Sequence, residues 1–162
     1  MKGIYLDYAA TTPVDPEVIE VITKAMHDDF GNASSLYKIG RESKQKVEGV
    51  RRQIARTLNA DADDIIITSG GTESNDSAIN QTVARLADKG KHLITTAAEH
   101  SSVYQTMRHL ERQGFEVTYL EFDEEGHIDF EELKISIRKD TILVSIMAGN
   151  NEVGSLQDIQ AI

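Results

Sequence analysis

The chain has 162 residues, room for one domain with a real core, since a domain of this size buries roughly 70% of the surface its unfolded chain exposes. Lys and Arg number 17 against 27 Asp and Glu, and the net charge of −10 favours solubility and argues against nucleic acid or an anionic membrane as partner. There is no cysteine, which excludes disulfides and thiolate metal sites. No apolar run approaches the ~20 residues of a bilayer span, and the N-terminus lacks a secretory pattern, so a cytoplasmic location is expected.

Ile4-Tyr5-Leu6 is a short apolar run. Asp15-Pro16-Glu17 then opens a first helix with an N-cap, a proline at the first helical position and an acid in the first turn. Val18, Ile22 and Met26 recur every four residues along it. Phe30 to Ser35 reads as a loop, followed by a long amphipathic helix with Val47, Val50, Ile54 and Leu58 on one stripe. The β-branched run Ile65-Ile66-Ile67 reads as a strand that ends at Gly70-Gly71, and Ala78, Ile79, Val83 and Leu86 give the helical pattern after it.

Leu93-Ile94-Thr95 is the next strand, Glu99 to Gln113 a further helix, and Phe115 to Leu120 alternates like a strand. Asp129 with Glu132 three residues later predicts a capping box for a helix through Ile137, and Thr141 to Met147 is the most apolar strand. Strands separated by helices imply βαβ crossovers. The fold class is α/β, a mostly parallel sheet flanked by helices, with no internal repeat, low-complexity tract or linker.

In Thr68-Ser69-Gly70-Gly71-Thr72-Glu73-Ser74-Asn75, a strand-like run meets a helix start through two glycines, with hydroxyl and amide side chains beside them. The glycines let the backbone turn sharply and approach a ligand closely. The first helical N–H groups lack intrahelical partners and favour an anion, phosphate above all. An ordinary connection capped by Thr72 or Ser74 reads the same residues without a ligand. A nucleoside-triphosphate loop is excluded, because no lysine lies between Lys46 and Lys89, and Gly70-Gly71 lacks the dinucleotide spacing. A calcium loop at Asp61-Ala62-Asp63-Asp64 fails as well, with Ile66 where glycine is needed and Thr72 where glutamate is needed. No metal site is expected.

Ligands of open α/β sheets gather where strands end and helices begin. Two further junctions carry chemistry: Ala97-Ala98-Glu99-His100-Ser101-Ser102 and Ala148-Gly149-Asn150-Asn151-Glu152-Val153-Gly154. Singly, His100 reads as a helix-start histidine, the asparagines as a turn, and Glu99 and Glu152 as solvated first-turn acids. Three such clusters at one sheet edge point to a common site.

The ordered blocks resemble the NifS/IscS-type cysteine desulfurases, closer to the IscS-like than the SufS-like branch. The blocks are Leu6-Asp7-Tyr8-Ala9-Ala10-Thr11-Thr12-Pro13, Phe30-Gly31-Asn32-Ala33-Ser34-Ser35, Thr68 to Asn75, Glu99-His100 and Asn150-Asn151-Glu152-Val153-Gly154. The resemblance runs from about Gly3 to Ile162. It implies a fold-type I enzyme of the class V aminotransferase superfamily dependent on pyridoxal 5'-phosphate (PLP). Such enzymes take sulfur from L-cysteine, release alanine and leave a persulfide on an enzyme cysteine. A sulfur-acceptor protein then receives it, for iron–sulfur cluster assembly or for tRNA or cofactor thiolation.

The resemblance also implies roles. Gly71 and Thr72 hold the PLP phosphate, His100 lies against the pyridine ring and assists proton transfer, and Asn151 hydrogen-bonds the phenolic oxygen. Ala10 and Thr11 lie on the substrate side, while Glu99 and Glu152 orient their turns. A homodimer is expected.

Two departures limit what the chain does alone. The family anchors PLP through a lysine in a Ser-x-His-Lys segment and holds the pyridine nitrogen with an aspartate, both beyond the asparagine block, and its sulfur-accepting cysteine comes later still. Lys89, Lys91 and Lys134 sit in ordinary surface-helix or pre-strand contexts. Residues 1–162 are therefore expected to form the N-terminal part of the PLP-binding large domain, inactive alone and with an apolar sheet edge near Val144 and Ile146. Ala148, where close relatives often carry histidine, and Tyr37-Lys38 are smaller departures. Two other readings stand open: another class V PLP enzyme, such as a selenocysteine lyase or an aminotransferase, and a non-catalytic module that binds a phosphate ligand.

Overall fold

The computed structural model describes residues 3–162, in two compact units that divide between Ile67 and Thr68. In the first unit, α1 (Pro16–Asp28) starts as its sequence predicts: the Asp15 carboxylate accepts the Glu17 N–H at 2.8 Å, and Pro16 occupies a position whose N–H has no helical partner. The Val18, Ile22 and Met26 stripe is not buried in this unit; the three are 47%, 46% and 77% exposed. The long helix α2 (Lys38–Leu58) ends at Asn59, which takes the left-handed conformation at φ 51°. It buries Gly40, Ser43 and Ala55, while Val47, Val50, Ile54 and Leu58 stay exposed.

Gly40 is needed for close approach, because a Cβ there would lie 2.4 Å from the Ser35 carbonyl oxygen. A single 3-10 turn, Ala62–Asp64, follows. The strand expected at Ile65-Ile66-Ile67 is not formed. The segment has no ladder partner among the described residues, Ile66 and Ile67 are exposed, and Arg51 donates to the Ile65 carbonyl instead.

The second unit carries the α/β core. It contains α3 (Gly71–Leu86), β1 (His92–Thr96), α4 (Ser101–Arg112), β2 (Glu116–Leu120), α5 (Phe130–Ser136) and β3 (Thr141–Val144). The three strands form a parallel sheet in the order β2-β1-β3, so β1 is central and β3 is an edge. Every residue of β1 is buried, as a strand covered on both faces requires. Leu93 packs with Ile79 and Val83 of α3 and Val103, Met107 and Leu110 of α4; Ile94 packs on the opposite face with Leu120, Ile128 and Leu133. Fully burying a side chain of the Leu, Ile or Met class stabilises by about 1.5–3 kcal/mol, so these two clusters are the main source of order in the unit.

Two boundaries differ from the sequence expectation. Asp129 caps α5 through the Glu131 N–H at 2.8 Å, and the return bond from Glu132 that completes a capping box is not made among the described residues. β3 stops at Val144, short of Met147. Ser145 N–H still reaches the Ile94 carbonyl, but the Met147 N–H turns to the Glu99 carboxylate at 2.7 Å. A side chain has taken the donor that would have continued the ladder. Among the described residues, no helix is long and apolar enough to cross a membrane.

Candidate functional site at the strand ends

All three chemistry-bearing junctions lie in the second unit, and hydrogen bonds tie them together at the C-terminal edge of the sheet. At the first, Gly70 is the N-cap of α3 and contributes no side-chain bond. Glu73 reaches back to the Ser69 N–H at 2.7 Å and the Ser69 hydroxyl at 2.6 Å. Those two bonds, the hydroxyl first, hold its carboxyl below the usual range. Thr68 and Ser74 pair through their hydroxyls at 2.7 Å, and Ser74 N–H donates to the Gly70 carbonyl.

The amides of Gly71, Thr72 and Glu73 and the Thr72 hydroxyl meet no acceptor among the described residues. The glycines are used differently from the sharp turn predicted. Gly70 has φ 163° and ψ 179°, an extended backbone that any residue adopts. A Cβ built on Gly70 or Gly71 meets nothing within 4 Å, so the space around the first-turn amides is open.

At the second junction, Glu99 is half-buried. It accepts the Thr96 hydroxyl at 2.8 Å and the Met147 N–H at 2.7 Å on one oxygen, which ties the end of β1 to the segment after β3. Burial raises its carboxyl above the ordinary 4.5, and the two bonds offset part of that. The orienting role expected for Glu99 is therefore visible as geometry. His100 is the N-cap of α4, with Nδ1 accepting the Ser102 N–H at 3.1 Å. Ser102 Oγ lies 2.8 Å from the same nitrogen, and Asn75 of α3 donates to that Oγ at 2.9 Å.

At the third junction Asn150, rather than Asn151, organises the turn. Its Oδ1 accepts the N–H groups of Glu152 at 2.8 Å and Val153 at 3.0 Å, and its Nδ2 donates to the Ala98 carbonyl at 3.3 Å, joining this turn to the His100 segment. Gly154 closes the turn at φ 78°, where the left-handed backbone favours glycine. Asn151 is exposed, and among the described residues its Nδ2 donates only to the Glu152 carboxylate at 2.9 Å. Sequence reasoning does not single out Asn75, Ser102 or Asn150 as functional candidates, because the bonds that join the junctions, Asn75 to Ser102 and Asn150 to Ala98, span 27 and 52 residues.

Ala10 and Thr11 belong to the first unit, in an exposed turn where both N–H groups donate to the Asp7 carbonyl. Lys89 and Lys91 precede β1 and Lys139 precedes β3, at the strand-start edge opposite the junctions. Lys134, on α5, pairs with Glu131 at 2.5 Å. Among the described residues no group of three potential ligands is placed to hold a metal. A cavity of about 540 Å³ opens near the junctions, lined by Thr96, Ala98, Asp123, Glu124, Met147 and Asn150 among others. Neither Thr72 nor His100 lines it, and its acidic side chains are the wrong charge for a phosphate.

The family model for aminotransferase class-V matches residues 4–162. The cysteine desulfurase IscS of Neisseria meningitidis is 54% identical over 160 residues, covering 98% of this chain and 40% of that protein. IscS of Methanosarcina thermophila is 48% identical over 161 residues, 99% of this chain and 40% of that protein. Among solved structures, a NifS-like protein aligns with a TM-score of 0.93 at 36% identity, over 97% of this chain and 43% of its own. SspA in complex with cysteine aligns at 0.90 and 37% identity, over 98% of this chain and 46% of its own. The chain thus spans about 40% of the length of the curated relatives it matches.

Proposed function

The chain belongs to the aminotransferase class-V family, and we propose on that premise that residues 1–162 supply the N-terminal part of the PLP-binding large domain of a cysteine desulfurase. The observation that carries the reading is the set of acceptor-free donors at Gly71, Thr72 and Glu73, on the same sheet edge as His100 and Asn151. Three amides and a hydroxyl at a helix N-terminus suit a phosphate dianion, and the open space around the glycines leaves room for one. The donor set therefore fits the phosphate end of PLP.

When bound, PLP supplies an electron sink for the substrate's bonding electrons. Gly71 and Thr72 would hold its phosphate. The flat imidazole of His100 would stack on its ring, and the Asn151 amide would donate to its phenolic oxygen without adding charge. The substrate would be L-cysteine, a reading supported by the cysteine complex of a 37%-identical relative. A homodimer working in the cytoplasm with a sulfur-acceptor protein completes the proposal. Covalent anchoring of the cofactor is not assigned to any lysine here, since Lys89, Lys91 and Lys139 sit at the opposite edge.

Titration of the chain with PLP and with pyridoxal, followed by absorbance, tests this. PLP binds more tightly than pyridoxal if the phosphate cradle operates, and Thr72→Val weakens PLP about fivefold, the worth of one hydrogen bond. Equal affinity for the two ligands would refute the cradle. Borohydride reduction and peptide mapping should leave no stoichiometric label on a single lysine.

A further inference from the structure

We infer that Asn75 and Ser102 are positioning residues that hold His100 in the neutral tautomer whose ring proton sits on Nε2. The inference deepens, and rests on, the cofactor-facing role proposed for His100. A backbone amide can only donate, so the Ser102 N–H at 3.1 Å requires a lone pair on Nδ1. The Ser102 hydroxyl, 2.8 Å from the same nitrogen, then shares that lone pair with the amide and points its proton at Nδ1 as well. Its oxygen is left as an acceptor, and the Asn75 amide donates into it at 2.9 Å. Direction is thus fixed along the whole relay, from Asn75 N–H to Ser102 O–H to the Nδ1 lone pair.

A capping role alone accounts for the first of these bonds and for nothing beyond it. Capping is satisfied by the Ser102 N–H, within His100's own helix. Asn75 comes from another helix, four residues after Gly71, so one residue joins the proposed phosphate cradle to the proposed ring contact. Ser102 is buried, with 8% of its surface exposed, so water does not compete freely for its hydroxyl. The consequence is chemical. His100 offers a hydrogen-bond donor at Nε2, not a lone pair, and acts first as a donor toward whatever lies against it.

A long-range proton–nitrogen correlation spectrum of the isotope-labelled chain reads the tautomer directly, with His100 assigned by its loss in His100→Gln. The expected wild-type state is Nε2–H. Ser102→Ala shifts the tautomer ratio about fivefold toward Nδ1–H, the worth of one neutral hydrogen bond. Asn75→Asp shifts it further, because the carboxylate draws the Ser102 proton away from Nδ1. Ser102→Thr keeps the hydroxyl and restores the wild-type ratio. An Nδ1–H wild type, or unchanged ratios in Ser102→Ala and Asn75→Asp alongside lowered thermal midpoints, would overturn the inference and leave both residues merely structural. If Ser102→Ala fails to fold, Asn75→Asp and Ser102→Thr decide it. The readout needs no cofactor: a chain that shows the tautomer shifts but fails to bind PLP sinks the cofactor reading and leaves the relay standing.

Discussion

Replacing Glu99 by alanine removes one carboxylate and strands two donors. The Thr96 hydroxyl, on a residue with 1% of its surface exposed, loses its 2.8 Å acceptor, and the Met147 N–H loses its 2.7 Å acceptor. A buried donor left unpaired costs about 1–3 kcal/mol. Met147 is only half-buried, so water recovers part of its bond, and the expected loss is about 2–4 kcal/mol. In a chain of this size that lowers the thermal midpoint by roughly 5–15 °C. Glu99→Gln keeps the acceptor oxygen and stays within about 1 kcal/mol of wild type at neutral pH. Urea denaturation followed by circular dichroism measures both. Alanine within about 0.5 kcal/mol of wild type, or glutamine as weak as alanine, would refute the tether.

The same pair of proteins reports the proton. Because the folded carboxyl lies above its ordinary 4.5, the folded chain keeps this proton where the unfolded chain has released it. Stability from this group is fully present below the ordinary value and is lost as pH rises through the raised one. Wild-type stability minus that of Glu99→Gln therefore falls as pH climbs from the ordinary carboxylate value. The subtraction cancels the other carboxylates.

The remaining expectations concern His92, Gly90 and Thr72. Burial, then Arg138, lowers the pKa of His92, whose ring sits between the Thr141 and Thr118 hydroxyls. Its contribution is present above the ordinary value of 6.5 and is lost as pH falls through the depressed one, and His92→Gln flattens that limb of a pH–stability curve. Gly90→Ala forces a Cβ to 2.1 Å from the Asp140 carbonyl oxygen and destabilises by about 2–3 kcal/mol in the same urea assay. Gly70→Ala, by contrast, adds a Cβ that meets nothing and costs less than about 1 kcal/mol as a poorer N-cap, so it gives the folding baseline against which Thr72→Val reads ligand binding.

What was legible in the sequence was what local chemistry decides. Asp15 and Pro16 start α1 through contacts two residues apart, and the buried run of β1 announces itself by composition. Ile65-Ile66-Ile67 has the same β-branched composition and forms no strand, because a ladder needs a partner from elsewhere in the chain and none pairs with it among the described residues. β3 was misjudged for the same reason: the residue that ends it, Glu99, is 48 positions away. In the site, the rule that ligands gather at strand ends singled out three junctions, and hydrogen bonds join them in the structure. It did not distinguish Asn150 from Asn151. Adjacent and identical in kind, they are separated only by the turn that points one inward to Ala98 and leaves the other exposed.

The two ends of β1 differ in how their polar groups are satisfied, which supports the edge proposed for the ligand. At the strand starts the polar groups answer one another: Arg138 reaches Glu116 at 2.7 Å and Asp140 at 2.9 Å, and both nitrogens of His92 have partners. At the strand ends some do not. The amides of Gly71, Thr72 and Glu73 meet no protein acceptor among the described residues, and Thr95 Oγ1, fully buried on the penultimate residue of β1, is without a partner there. Exposed amides are hydrated at little cost, so being open does not by itself make them a site. Their arrangement carries the argument. The bonds from Glu99 to Met147, from Asn150 to Ala98 and from Asn75 to Ser102 join the junctions around them, so these donors are held by the fold before any ligand arrives. Donors fixed in advance bind an anion without first losing conformational freedom. At the opposite edge, Arg138, Glu116, Asp140 and His92 already have their partners.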